Sequence, residues 1–299
     1  MPEMVTNGIT LAWEGFGDPK DPPLLLVMGL SAQMVLWDAA FCRELAGRGF
    51  YVVRFDNRDV GQSTKLHGAG VPSILPKLLA RTLGLPVTAP YLLSDMAKDV
   101  IGLMDGLLFD SAHVVGMSMG GMIAQTLAIE HPTRVRSFVS IGSTVGDRGL
   151  PHAKLAAARA LLTPPPAGRE AAILHSVGVL RAISSPHHFD EARARAVVEL
   201  AVSRSTYRLG GARQLAAILA SPARTPLLAN VRIPATVVHG RLDPLLPLAH
   251  GEATARAIHG ARLVVLDTMA HDIPEALWPE ILDAIVTNTA RAGPRVVST

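Results

Sequence analysis

Ser118 is the residue from which chemistry can be read. A β-branched apolar run at 113–116 ends at Gly116, Gly120 lies two residues past the serine, and an apolar helix-forming segment runs on to Ala128. The pattern is a strand, a sharp turn and a buried helix, with the serine at the apex. Such a turn forces the serine into a strained backbone conformation. The flanking positions must be glycine, because a Cβ there collides with the neighbouring strand or helix. The hydroxyl stands at the end of a sheet, beside helix N-terminal N–H groups that favour negative charge. That chemistry is nucleophilic attack with a stabilised anion. With 26 Gly in 299 residues, the bare Gly-x-Ser-x-Gly pattern arises by chance with a probability of roughly 0.1. Its strand and helix context therefore decides.

The chain resembles an α/β-hydrolase, and within that superfamily the bacterial carboxylesterase and methylesterase branch. Residues 24–29, 54–63, 116–121, 234–247 and 269–274 carry the resemblance, while the middle, from about 146 to 225, is alike only in being a helical insertion. The resemblance implies a serine hydrolase whose catalytic partners follow in the order Ser, Asp, His. Acyl transfer from serine needs a base, an orienting acid and donors for the oxyanion. His271 is the base that this order selects. It lies in the loop after a strand at 262–266, where an imidazole can reach over the sheet to Ser118. His113 begins a strand and His239 ends one, which are core or loop positions, and His131 beside Pro132 reads as a helix end. His187, His188 and Asp190 have a spacing that suits no common metal site. Asp243 is the orienting acid. It follows the strand at 234–239 through Gly240-Arg-Leu, with Pro244 fixing the turn after it. It would accept Nδ1–H of His271 and hold the tautomer that presents Nε2 to Ser118. Asp267, on the same loop as His271, is its rival; Asp272, beside the histidine, should point away.

Main-chain N–H groups should form the oxyanion hole. Met119 donates from the helix N-terminus, and the second donor comes from the loop after the strand at 24–28. The family commonly has His-Gly in that loop, where this chain has Met28-Gly29-Leu30, a departure that leaves a main-chain donor intact. Leu30 is assigned, with Ser31 as the alternative. Met28, Gly29, Met122 and Met269 are the substrate-binding candidates, since methionines gathered at the site loops can line an adaptable apolar acyl pocket. Residues 56–63 resemble a family loop after the fourth strand and read as structural, with short acids and Arg58 tying the turn. Gly68-Ala-Gly70 lacks a helix-opening third glycine and is no dinucleotide fingerprint.

The elements that must position these groups alternate between strand and helix. Residues 9–13 read as a first, edge strand, 24–28 as a strand buried on both faces, 37–46 as a helix and 50–55 as the next strand. Leu93, Met96, Val100, Leu103, Met104 and Leu107 give an amphipathic helix. Strands follow at 113–116, 138–141, 234–239 and 262–266, and a closing helix at 277–286. The fold class is α/β: an α/β-hydrolase fold, mostly parallel sheet, with helices on both faces. From 147 to 221 there is no strand pattern, only helical segments broken at Thr163-Pro-Pro-Pro166, Ser185-Pro186 and Gly210-Gly211. The expected organisation is a core of 1–145 and 226–299, a helical cap at 146–225 and a lid-like insertion at 66–91. Ile74, Leu75, Leu78, Leu79, Leu83 and Leu85 give that insertion more apolar surface than an exposed loop should carry. It is expected to pack against the cap and wall an apolar entrance.

Composition sets the limits. A chain of 299 residues, 49% hydrophobic and 18% charged, holds a substantial core. A net charge of +3 without a Lys/Arg run is a poor basis for binding nucleic acid. Cys42 alone permits no intrachain disulfide, which fits a reducing compartment. Residues 1–17 carry no apolar signal core, and the longest wholly apolar run, 24–30, falls far short of a membrane span. The expectation is a soluble, cytoplasmic enzyme with no membrane span and no metal or organic cofactor. Its expected activity is hydrolysis of small to medium apolar carboxylic esters through an acyl-enzyme. The same residues leave open a cofactor-free perhydrolase (haloperoxidase) or a lactonase. In a different class, they leave open a small-molecule binding protein with an idle triad.

Overall fold

The computed structural model describes residues 1–293. The stretch 294–299, counted with the core from the sequence, lies outside the described residues. Glu3–Thr6 (β1) and Ile9–Phe16 (β2) form an antiparallel hairpin. Its two-residue turn, Asn7 and Gly8, has φ of 46° and 76°, the left-handed pair that such turns need and Asn-Gly adopts readily. The strand expected as an edge at 9–13 is therefore an inner strand running on to Phe16, and β1 is the edge. The Asn-Gly pair was the signal for it.

Pro23–Val27 (β3) is followed by Ala39–Ala46 (α1). This helix starts later than the expected Trp37, because the Asp38 carboxylate accepts the Ala40 N–H at 2.7 Å and caps it. Tyr51–Phe55 (β4), Ile74–Leu83 (α2), Leu93–Gly106 (α3), Ala112–Met117 (β5), Met119–Glu130 (α4) and Val135–Ile141 (β6) come next. Leu155–Leu162 (α5), Arg169–Ile183 (α6), Glu191–Arg204 (α7), Gly210–Ala220 (α8) and Thr225–Leu228 (α9) form an all-helical insert before Ala235–Gly240 (β7). Ala249–Ala257 (α10), Arg262–Leu266 (β8) and Trp278–Ala290 (α11) close the chain. The small residues of α10 bury His250, Gly251 and Thr254 and show no apolar period, so the sequence did not mark it.

The sheet order is β1-β2-β4-β3-β5-β6-β7-β8, antiparallel at β1/β2 and β2/β4 and parallel from β4 to β8. Side chains alternate between faces, as the two-residue strand period requires. Leu25 and Val27 of β3 join Val53, Val114, Met96 and Ile123 under α3 and α4. Leu24 and Leu26 join Val52, Val115, Phe41 and Ile281 under α1 and α11. On that second face Phe41 stacks on Trp37 at 5.8 Å and meets Trp278 edge-on at 5.4 Å. The chain's direction of travel across the sheet reverses between β3 and β5, whose C-terminal ends lie side by side. That crevice is where parallel sheets place their ligands. No described helix is long and apolar enough to cross a membrane.

Candidate active site

Ser118 sits where β5 turns into α4, with φ 56° and ψ −119°. Strain of this kind persists only where the surroundings impose it. The glycines around it explain how. A Cβ on Gly116 would lie 2.1 Å from the Gly120 carbonyl oxygen, and one on Gly120 would lie 2.0 Å from the Val27 carbonyl oxygen. Strand, turn and helix therefore close on one another, main chain to main chain. The Ser118 N–H donates to Ile141 O at 2.9 Å and the Ser143 hydroxyl donates to Ser118 O at 2.8 Å, tying the apex to β6.

The structure brings Ser118, His271 and Asp243 together from three loops at the same edge of the sheet. His271 Nδ1 lies 2.7 Å from Asp243 Oδ2, and His271 Nε2 lies 3.0 Å from Ser118 Oγ. An ionised carboxylate can only accept, so Nδ1 carries the proton and Nε2 is free to accept from the serine hydroxyl. Asp243 is buried and its Oδ1 also accepts the N–H groups of Leu245 and Leu246, each at 2.8 Å. Burial alone would raise this carboxyl. The His271 imidazole, as charge partner and as donor, and the Leu246 N–H overcome it and hold Asp243 below the ordinary carboxylate range. The His271 N–H donates to Ile183 O at the end of α6, at 2.9 Å, so the insert helps hold the imidazole loop.

The other acids and histidines go elsewhere. Asp267 is 74% exposed and pairs with Arg241 at 2.7 Å on the surface. Asp272 accepts the N–H groups of Ser185 and Ala270. His113 is buried against Ser137 at 2.8 Å. His239 donates through Nε2 to Leu246 O at 2.7 Å, and burial pushes its imidazole down. His188 Nε2 meets the Thr268 hydroxyl at 2.9 Å, while Asp190 caps α7. Among the described residues, no group of three or more His, Cys, Asp or Glu is placed to hold a metal.

Gly29 follows β3 so closely beside the serine that a Cβ there would lie 3.1 Å from Ser118 Cβ. The Ser31 N–H donates to Gln214 Oε1 at 2.8 Å and is thereby engaged by the helical insert. Met119 is wholly buried at the start of α4. Met28, Gly29 and Met122 line a cavity of about 1770 Å³ that opens onto Ser118 and His271. Met269 does not. Its side chain is wholly buried in the apolar cluster that α11 covers with Ile281, Leu282 and Ile285. The cavity is larger than the roughly 300–1,000 Å³ usual for small-molecule sites. Ile74, Leu75 and Leu78 of α2 face it across from insert residues such as Val198 and Leu215. Leu75, for all that it borders the cavity, and Leu79, Leu83 and Leu85 of the same stretch remain exposed, at 78%, 60%, 63% and 55%.

The 56–63 loop does more than tie its own turn. Asp56 accepts the N–H groups of Met34 and Gln62 and pairs with Arg204 of α7 at 2.7 Å. Asp59 takes Arg213 of α8 through two bonds of 2.8 and 2.7 Å and accepts the Tyr91 hydroxyl at 2.8 Å. Arg58 reaches away to Asp99 of α3 at 2.6 Å. Sequence reading missed Arg204, Arg213 and Gln214. The only available signal was that short acids in a buried loop need counter-charges, and it does not say which arginines supply them.

A family model described as alpha/beta hydrolase fold matches residues 22–275. The rhodomycin D methylesterase DnrP of Streptomyces peucetius is 28% identical, over 97% of this chain and 98% of its own length. The 3-oxoadipate enol-lactonase 2 of Acinetobacter baylyi is 24% identical, over 88% of this chain and 87% of its own. Among solved structures, the enol-lactonase from Burkholderia xenovorans LB400 superposes with a TM-score of 0.74 at 23% identity, covering 97% of this chain and 100% of its own.

Proposed function

The chain belongs to the alpha/beta hydrolase fold family, and from that premise we propose that it is a serine hydrolase of carboxylic esters. The observation that carries the reading is the continuous path from Asp243 through His271 to Ser118, at 2.7 and 3.0 Å, ending on a serine at positive φ. Ser118 Oγ attacks the ester carbonyl carbon while His271 Nε2 takes the hydroxyl proton. Asp243 keeps the imidazole in its tautomer and stabilises the imidazolium. The N–H groups of Leu30 and Met119 receive the oxyanion. His271 then protonates the departing alcohol. Water attacks the acyl-enzyme with His271 again as base, releasing the acid and restoring Ser118. We read residues 146–225 as a cap over this edge of the sheet and 66–91 as a second wall of the entrance.

The substrate we propose is an ester with an apolar body, in keeping with the leucine and valine walls of the cavity. The cavity's volume accommodates more than the small to medium esters that the sequence suggested. The relative named a methylesterase supports a small alcohol as leaving group. The relatives named enol-lactonases favour a second reading, a lactone, which is a cyclic ester opened by the same steps. A series of nitrophenyl esters of graded acyl length, with methyl esters and lactones of matched size, separates these. The reading expects a pre-steady-state burst of nitrophenol equal to the enzyme concentration wherever deacylation is slow. Hydrolysis of no ester or lactone in the series would overturn it.

A further inference from the structure

The loop after β3 is pinned at several points. Met28 O accepts Asn57 Nδ2 at 2.9 Å, and Gly29 O accepts the Ala32 N–H at 3.3 Å. Gln33 Nε2 donates to Ala201 O at 2.7 Å, and the Met34 N–H goes to Asp56 at 2.8 Å. Ser31 stands at φ 59°, a conformation that a non-glycine residue keeps only when its surroundings over-determine it. The turn closed by Ala32 N–H on Gly29 O places Ser31 there, and the insert holds it. Gln214 on α8 is wholly buried, and its Oε1 accepts the Ser31 N–H at 2.8 Å while its Nε2 donates to Arg58 O at 2.8 Å. Only the oxygen can accept and only the nitrogen can donate, so the amide cannot turn without losing both bonds. The first turn of α8 lies directly on the two loops it joins. A Cβ on Gly210 would lie 1.9 Å from Asp59 O, and one on Gly211 would lie 2.2 Å from Ser31 Oγ.

We propose that Gln214 is a positioning residue for the oxyanion hole, so that the hole is completed by the helical insert and not by the sheet edge alone. The proposal rests on the serine-hydrolase reading above. Gln214 holds the Leu30–Ser31 peptide through its N–H, and the Ala32 N–H on Gly29 O holds the Gly29–Leu30 peptide; between these two restraints the Leu30 N–H is kept toward the position where the oxyanion forms. Gln214 itself touches no reacting atom. Its loss therefore acts on the transition state, where the oxyanion exists, and little on substrate binding.

The test compares Gln214→Met with Gln214→Glu, which keeps an acceptor for Ser31. In Gln214→Met we expect kcat to fall about 100-fold with KM within about threefold, the signature of a displaced oxyanion donor. Affinity for a boronic acid, which forms a tetrahedral adduct on the serine, falls by a similar factor, while affinity for the matching unreactive amide is unchanged. Gln214→Glu keeps kcat within about tenfold of the native enzyme, because burial keeps the acid protonated, its carbonyl oxygen accepting from Ser31 and its O–H donating to Arg58 O. The proposal is overturned if folded Gln214→Met stays within about threefold of native kcat, if the Glu variant is as impaired as the Met variant, or if boronate affinity does not move. Should Gln214→Met yield no folded protein, Gln214→Asn, one methylene short of Ser31, takes its place in the same comparison. Ser118→Ala in the same assay separates the two levels. An inactive Ser118→Ala beside an unimpaired Gln214 variant sinks only the positioning role. An active Ser118→Ala sinks the serine reading and this proposal with it.

Discussion

At the scale of the residue, direction is set by which atoms can only accept. Asp243 has three donors arranged around its carboxylate, from His271, Leu245 and Leu246. An amide in its place would offer a donor to His271 Nδ1 and favour the tautomer with its proton on Nε2, facing Ser118. Asp243→Asn should therefore lower kcat by roughly 10³–10⁴ with KM little changed. Asp267→Asn should stay within about threefold, since that carboxylate holds only an exposed arginine. Side-by-side kinetics check the ranking, and the reverse order would move the acid role to Asp267.

At the scale of the element, the site is a set of strand ends. β5, its turn and α4 were legible in the sequence, because β-branched residues, glycine spacing and an apolar helix coincide within 16 residues, His113 to Ala128. His271 and Asp243 were legible as loop residues following strands, which is where the structure puts them. The edge hairpin was missed although Asn7-Gly8 announced it, and α10 was missed because small residues bury without a period. The bonds that join insert to core left no local trace. Gln214 and Ser31 are 183 residues apart, and Arg213 and Asp59 are 154 apart. α2 is an element whose role its packing suggests. One side faces the cavity through Ile74 and Leu78, and the other exposes Leu79 and Leu83. Replacing 73–88 with a short Gly/Ser linker should lower kcat/KM most for the more apolar esters, by about 1–3 kcal/mol of lost contact. An equal change for every ester, in a protein that stays folded, would remove α2 from substrate selection.

At the scale of the whole molecule, core and insert share buried charge pairs, and the core buries imidazoles that make stability depend on pH. Burial, aided by the positive charge of Arg136, pushes the His113 imidazole from 6.5 down to about 4. Burial also lowers His239 and His250. Between those two values the unfolded chain binds a proton at His113 that the folded protein does not. The stability this residue contributes is therefore fully present above pH 6.5 and is lost as pH falls towards about 4. His113→Gln should flatten the acid limb of the stability–pH curve in that window by about one proton per molecule. Denaturant melts at graded pH measure it, and an unchanged slope would show that the buried imidazole is not what titrates. The insert reaches the loops of the site as well as the core, since it supplies the partners of Ser31, Asp56, Asp59 and the His271 main chain. All of this converges on one hydroxyl. The most direct test is intact-mass analysis after treatment with a fluorophosphonate, followed by peptide mapping, on the native protein and on Ser118→Ala. The account predicts one adduct per chain, located on Ser118, with complete loss of ester hydrolysis, and neither adduct nor hydrolysis in Ser118→Ala. An adduct on another residue, or a folded Ser118→Ala that keeps more than about a tenth of the native rate, would contradict it.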